Sequence, residues 1–127
     1  MFQAFGKSLE EAFQNAALAL ISLMWDRLRV KPEETLSKQF SGKDLPRLLV
    51  DFLEEILYLF ETRNYLIREV LVENMNFQGK RPAATVLFKG EERAEHEIYG
   101  EVKAITYSQM KIEEEPEGWM IQVVVDI

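Results

Sequence analysis

The sequence predicts an α+β fold: two helices packed on mainly antiparallel β-sheet, in the order β-α-β-α-β-β-β-β. Three observations carry that prediction. Two stretches in the first half repeat apolar residues at three- and four-residue steps, which marks a helix with one buried face. From Leu66 onward the period changes to alternation, the signature of strands. Glycine- and proline-bearing turns then divide the second half into four strand-length pieces.

Taken in order, residues 2–5 read as the end of a strand, with Gly6 at a strand-to-helix turn. Ser8 followed three residues later by Glu11 is a capping-box spacing, in which each side chain satisfies an orphan backbone donor at a helix start. Leu9, Ala12, Phe13, Ala16, Ala17, Leu20, Leu23 and Met24 continue as one apolar stripe, so the first helix runs to about Met24. Residues 35–41, alternating and bounded by Pro32 and Gly42, form a second strand. Asp44 as N-cap and Pro46 in the first turn start the second helix, where a missing amide hydrogen costs nothing. Its core face runs from Leu45 through Leu48, Leu49, Phe52, Leu53, Ile56 and Leu57 to Phe60, with Asp51, Glu54 and Glu55 on the other side. Strands follow at 66–76, 83–89, 98–112 and 119–126. The turn signals between them are Gln78-Gly79, Gly90 and Pro116-Glu117-Gly118, so successive strands should pair as antiparallel hairpins. Both helices need an apolar surface to cover, and a sheet face supplies it.

At 127 residues the chain has the length of one domain, spanning 1–127, that can bury a core without staples. It has no cysteine, which excludes disulfides, thiolate metal sites and a cysteine nucleophile and points to a cytoplasmic setting. No stretch reaches the roughly 18 apolar residues of a membrane span. The net charge of −7 opposes non-specific binding to phosphate backbones, so any link to nucleic acid should be indirect. The acidic run Glu113-Glu114-Glu115-Pro116-Glu117 reads as a solvated hairpin loop.

Catalytic signals are sparse. His96, the one histidine, lies between Glu95 and Glu97 and reads more simply as a surface residue than as a catalyst. There is no Gly-x-Ser-x-Gly, P-loop or Gly-x-Gly-x-x-Gly, so neither acyl transfer nor nucleotide chemistry has its usual motif. A metal-dependent hydrolase lacks both a nucleophile and a full ligand set. Alternation along 98–112 places Lys103, Ile105 and Tyr107 on one face and Val102, Ala104 and Thr106 on the other, and a lysine beside an aromatic suits a contact surface. Asp126 ends an otherwise apolar strand. With the terminal carboxylate of Ile127 it offers hard oxygens of the kind Ca²⁺ or Mg²⁺ takes, although two carboxyl groups alone make a poor site.

Four segments carry a resemblance. Gly6-Lys7-Ser8-Leu9-Glu10-Glu11-Ala12-Phe13-Gln14-Asn15-Ala16-Ala17 is similar to the first helix of the archease family, and Leu57-Tyr58-Leu59-Phe60-Glu61-Thr62 to its second. Glu101-Val102-Lys103-Ala104-Ile105-Thr106-Tyr107 resembles the family motif E-V-K-A-[IV]-T-Y-H, and Val125-Asp126-Ile127 the characteristic ending. The resemblance spans essentially the whole chain and implies a non-catalytic accessory protein. Archeases promote turnover of an RtcB-type tRNA-splicing RNA ligase by helping its guanylylation, and the ligase makes the bond. A broader role as chaperone or specificity modulator of RNA-processing enzymes such as tRNA methyltransferases is the alternative. The family also implies a divalent cation, usually calcium, held by an Asp of an N-terminal H-T-A-D motif, the penultimate Asp and the last residue. The last two positions are Asp126 and Ile127 here. Lys103, Tyr107 and His96 are the residues expected to contact the partner.

Two departures touch this site. The H-T-A-D segment does not occur, and Ser108 stands where the family has histidine, removing a titrating imidazole. A start placed too late, a trimmed chain or a lost ligand each account for the first departure. We favour the late start, because a shortened edge strand leaves backbone groups unpaired.

Overall fold

Ser8 caps the first helix as its spacing requires, its hydroxyl accepting from the Glu11 N–H at 3.1 Å. The Glu11 carboxylate reaches back one residue further than a standard capping box, to the Lys7 N–H at 3.2 Å. In this computed structural model, which describes residues 1–76, 81–92 and 95–127, the elements are β1 (Phe2–Gly6), α1 (Leu9–Ser22), a 3₁₀ turn (Arg27–Arg29), β2 (Glu34–Ser41), α2 (Leu45–Arg63), β3 (Leu66–Asn76), β4 (Ala83–Glu91), β5 (Ala104–Glu115) and β6 (Gly118–Asp126). Asp44 caps α2 through the Arg47 N–H. Asn64, in a left-handed conformation, ends that helix, and the Tyr65 N–H returns to Leu59 O.

The strands divide into two antiparallel three-stranded sheets, β1-β6-β5 and β2-β4-β3. The predicted element order holds, and two of its details change. Strands β3 and β4 pair, as do β5 and β6, but β4 and β5 lie in different sheets, so that connection is a crossover and not a hairpin. Gly90 accordingly sits inside β4, buried, where an added Cβ would meet Leu66 O at 1.9 Å. Its role is close approach of the β3 backbone and not turning. The Gln78-Gly79 signal lies outside the described residues. Pro116 and Glu117 form the β5–β6 turn, closed by Gly118 at φ +150°.

Both helices pack against both sheets, and aromatic rings mark where the layers meet. Phe52 of α2 stacks on Phe13 of α1 (centroids 5.7 Å apart) and Phe88 of β4 (6.2 Å), and meets Phe40 of β2 edge-on (6.1 Å). Such pairs each contribute about 0.5–1.5 kcal/mol beyond the burial itself. Trp25, fully buried, donates its indole N–H to Ile67 O at 3.0 Å and so joins the end of α1 to β3.

Candidate functional site

Strand β5 begins at Ala104, six residues later than alternation predicted, and residues 95–103 have no regular structure. The physical reason is the crossover: this segment spans from one sheet to the other instead of lying in either. It is nevertheless pinned, since the Tyr99 N–H donates to Met24 O at 2.7 Å and the Lys103 N–H to Asp126 O at 2.7 Å. The predicted face therefore does not form. Lys103 and Tyr107 are exposed while Ile105 is buried, and β5 breaks register with β6 between Thr106 and Lys111, with Gln109 at φ 52°. Gln122, itself buried, holds that bulge by donating to Gln109 O and accepting from the Gln3 amide.

Of the five candidate residues, the structure brings three together. Lys103, Asp126 and Ile127 meet where β6 ends, because the Lys103 backbone is bonded to that of Asp126. Beside them lies a cavity of about 460 Å³ with apolar walls from Met1, Phe2, Leu23, Val102, Val125 and Ile127, and with Glu101 at the rim. Met1, Leu23 and Ile127 are large apolar side chains left substantially exposed, as is Tyr99 next to the lining residue Gly100. Chain order hides this cluster, which draws on β1, the end of α1, the crossover and β6. Leu23, which the sequence places on the buried stripe of the first helix, instead follows the end of α1 and is exposed, and Glu101 lies in a segment that reads as strand, so neither signals a site by its position in the chain.

Tyr107 and His96 stand apart from it. Tyr107 lies beside Arg47 at the start of α2, and Arg47 also pairs with Asp51 at 3.2 Å; these two neighbours, Tyr107 first, raise the guanidinium pKa. His96 faces Glu91 at 3.4 Å near Asp26, Arg29 and Tyr99. Glu91 also accepts the Lys31 N–H at 2.6 Å, and that bond, followed by His96 and against some desolvation, holds its carboxyl below the usual range.

For a cation, Asp126 and Ile127 supply two carboxylates at an exposed strand end. Among the described residues no group of three or more His, Cys, Asp or Glu side chains is arranged to hold a metal ion. This donor set falls short of the six to eight oxygens that calcium takes.

Residues 1–127 match the Archease protein family (MTH1598/TM1083) along their full length. The chain belongs to the archease family. It is 38% identical to the protein archease of Methanosarcina barkeri (strain Fusaro / DSM 804), over 99% of this chain and 88% of that one. It is likewise 38% identical to the protein archease of Pyrococcus abyssi (strain GE5 / Orsay), over 98% and 89%. The solution structure of Methanobacterium thermoautotrophicum protein 1598 matches this archease fold with a TM-score of 0.81 at 30% identity, covering 98% of this chain and 89% of that one. The crystal structure of an archease, possible chaperone, from Thermotoga maritima has a TM-score of 0.58 at 16% identity, covering 99% and 88%, and bears on the fold alone. No helix among the described residues of this archease is long and apolar enough to cross a membrane.

Proposed function

We propose that this archease is a non-catalytic cytoplasmic accessory protein that activates an RtcB-type tRNA-splicing RNA ligase by direct contact, promoting its guanylylation and turnover, and that it meets RNA only through the ligase. The observation that carries this reading is the apolar surface beside Lys103 and Asp126, where Leu23 and Tyr99 are exposed next to charged groups. Exposed apolar side chains with charges around them suit a protein contact. Lys103 contributes a mobile positive charge, Asp126 a negative one, and neither requires this chain to turn over a substrate. Tyr107, beside Arg47 of α2, and His96, beside Glu91 of β4, lie apart from this cavity and would be separate points of contact with the ligase. A divalent cation, calcium foremost, is a separate proposal: Asp126 and Ile127 give it two carboxylates, a set that binds weakly without a third.

Reconstitution with a purified RtcB-type ligase, GTP, a divalent cation and RNA ends tests the reading. Alone, this chain should join nothing and consume no GTP. Added to the ligase, it should raise the number of turnovers, and Asp126→Ala should lose most of that effect with its fold intact. Ligation by this chain alone, or full activation by Asp126→Ala, refutes it. Retained rescue of several unrelated RNA-modifying enzymes, without ligase activation, favours the broader chaperone role instead.

A further inference from the structure

Three of the four outer strands have edges that are occupied or interrupted. In β1, Phe5 O accepts from Asn15 Nδ2. In β3, Ile67 O accepts from Trp25, Arg68 O from Arg27, and the Val72 N–H donates to Gln14. In β5 the edge is interrupted by the bulge between Thr106 and Lys111, and α2 packs against the strand. Strand β2 differs. It pairs with β4 in unbroken register from Glu34↔Gly90 to Ser41↔Ala83, and among the described residues no strand lies on its other side. Among the described residues, the one side chain bonded to its backbone is Tyr65, whose hydroxyl donates to Glu34 O and Phe88 O. Eight residues of open edge are a template for another strand unless something blunts them. The blunting device present is Lys38, a charge on the side facing α2, and Glu55 of α2 lies within its field.

We propose that β2 is a homodimerisation strand, along whose free edge a second copy of this chain pairs antiparallel in the register centred on Lys38, extending the three-stranded sheet to six strands. The argument is one of self-complementarity. A two-fold axis that makes one strand pair antiparallel with itself stands perpendicular to the sheet, so opposed residues must share a face, and the axis passes at a residue. Centred on Ser37, the pairing sets Lys31 against Lys43 and Glu34 against Phe40. Centred on Gln39, it sets Glu34 against Asp44 and Lys38 against Phe40. Centred on Lys38, it sets Glu33 against Lys43 twice, Leu36 against Phe40 twice, and on the exposed face Thr35 against Ser41 and Ser37 against Gln39. That register matches charge with charge and apolar with apolar. Its one like-charged contact is Lys38 with Lys38 of the second copy. Each lysine arrives beside a Glu55 whose Oε2 is buried with no hydrogen-bond partner in the single chain. Two ammonium groups and two carboxylates then close a neutral ring. The strand lies in the other sheet from Asp126, so pairing leaves the cavity beside Ile127 free.

One strand pair is a small interface, so the dimer should populate at about 10–100 μM and above. Sedimentation of the full chain from about 1 μM to about 1 mM should show a reversible monomer–dimer equilibrium. The chain has no cysteine, so Ser37→Cys and Gln39→Cys can be mixed and oxidised. Opposed positions of an antiparallel pair are within disulfide reach, and the mixture should give a linked heterodimer in preference to either variant alone. Lys43→Glu should weaken association about tenfold by turning two pairs repulsive, and adding Glu33→Lys should restore it. A chain monomeric up to about 1 mM overturns the proposal, as does a dimer that forms no 37–39 link or ignores Lys43→Glu.

Discussion

Gly90→Ala should destabilise the fold severely although it adds a single methyl group. An ideal Cβ at this position stands 1.9 Å from Leu66 O, 2.9 Å from Leu66 C and 2.9 Å from Ile67 Cα. Ordinary contact begins near 3.4 Å, so the two backbones must part by more than an ångström. The obstructing atoms are main chain of β3, which is paired to β4 and held at Ile67 O by Trp25. No rotamer change relieves the clash. Overpacking typically costs about 1–3 kcal/mol where side chains yield, and a backbone obstacle puts this substitution at about 3 kcal/mol or more, a large part of a domain stability of about 5–15 kcal/mol. Gly100→Ala is the control, because among the described residues beyond its chain neighbours its Cβ would meet just Leu23 O, at an ordinary 3.6 Å, and it should change stability by less than about 0.5 kcal/mol. Urea unfolding followed by circular dichroism measures both, with the midpoint moving and the slope constant. A loss below about 1 kcal/mol for Gly90→Ala, or equal losses for the two variants, would refute the close-approach argument.

Lys103→Ala should fold normally, with a stability change under about 0.5 kcal/mol, yet lose on the order of 1–2 kcal/mol of ligase binding; full activation in reconstitution, or a sharp fall in Tm, makes the lysine incidental or structural. Calorimetry should detect weak calcium binding at most, with no calcium-dependent rise in Tm; tight binding, or binding that survives Asp126→Asn, means the ligands lie elsewhere. Glu91→Gln should lower Tm at neutral pH. Because the folded carboxyl titrates below its ordinary value of 4.5, the wild-type advantage is present above about pH 4.5 and is lost as pH falls through the lower folded value. A deficit as large at about pH 3 as at about pH 7 shows that the carboxylate charge is not what stabilises the Lys31 connection.

The helices and the order of elements along the chain were legible because each rests on local signals: the Ser8 and Asp44 caps, Pro46, and apolar periods that the burial of Phe13 and Phe52 bears out. Residues 95–103 misled because alternation records which side chains are buried and not which backbone is paired. Val102 is buried and Lys103 exposed, as in a strand, yet the segment crosses between sheets, and its burial comes from packing beside the end of α1. Gly90 misled for a related reason. Glycine marks both turns and close backbone approach, and only the β3 neighbour distinguishes the two. Asp126 and Lys103 were visible as residues, but their adjacency depends on the Ala104↔Asp126 register, which no local pattern encodes.

An activator that works by contact gains most from a face that is already ordered, since any freedom lost on binding subtracts from affinity. Irregular segments usually lack that order, because they have no ladder of backbone bonds to hold them. In this archease the crossover is fastened where it matters. Tyr99 bonds to the end of α1, and Lys103 bonds to β6, the central strand of its sheet, which is paired on both sides. Between those two fixed points lie Gly100, Glu101 and Val102, which line the cavity. The backbone is thereby held while the side chains of Tyr99, Glu101 and Lys103 are exposed. The fold thus combines exposed side chains with a fastened backbone, so that in the proposed ligase contact the cost of ordering the crossover is met during folding and not at the moment of binding.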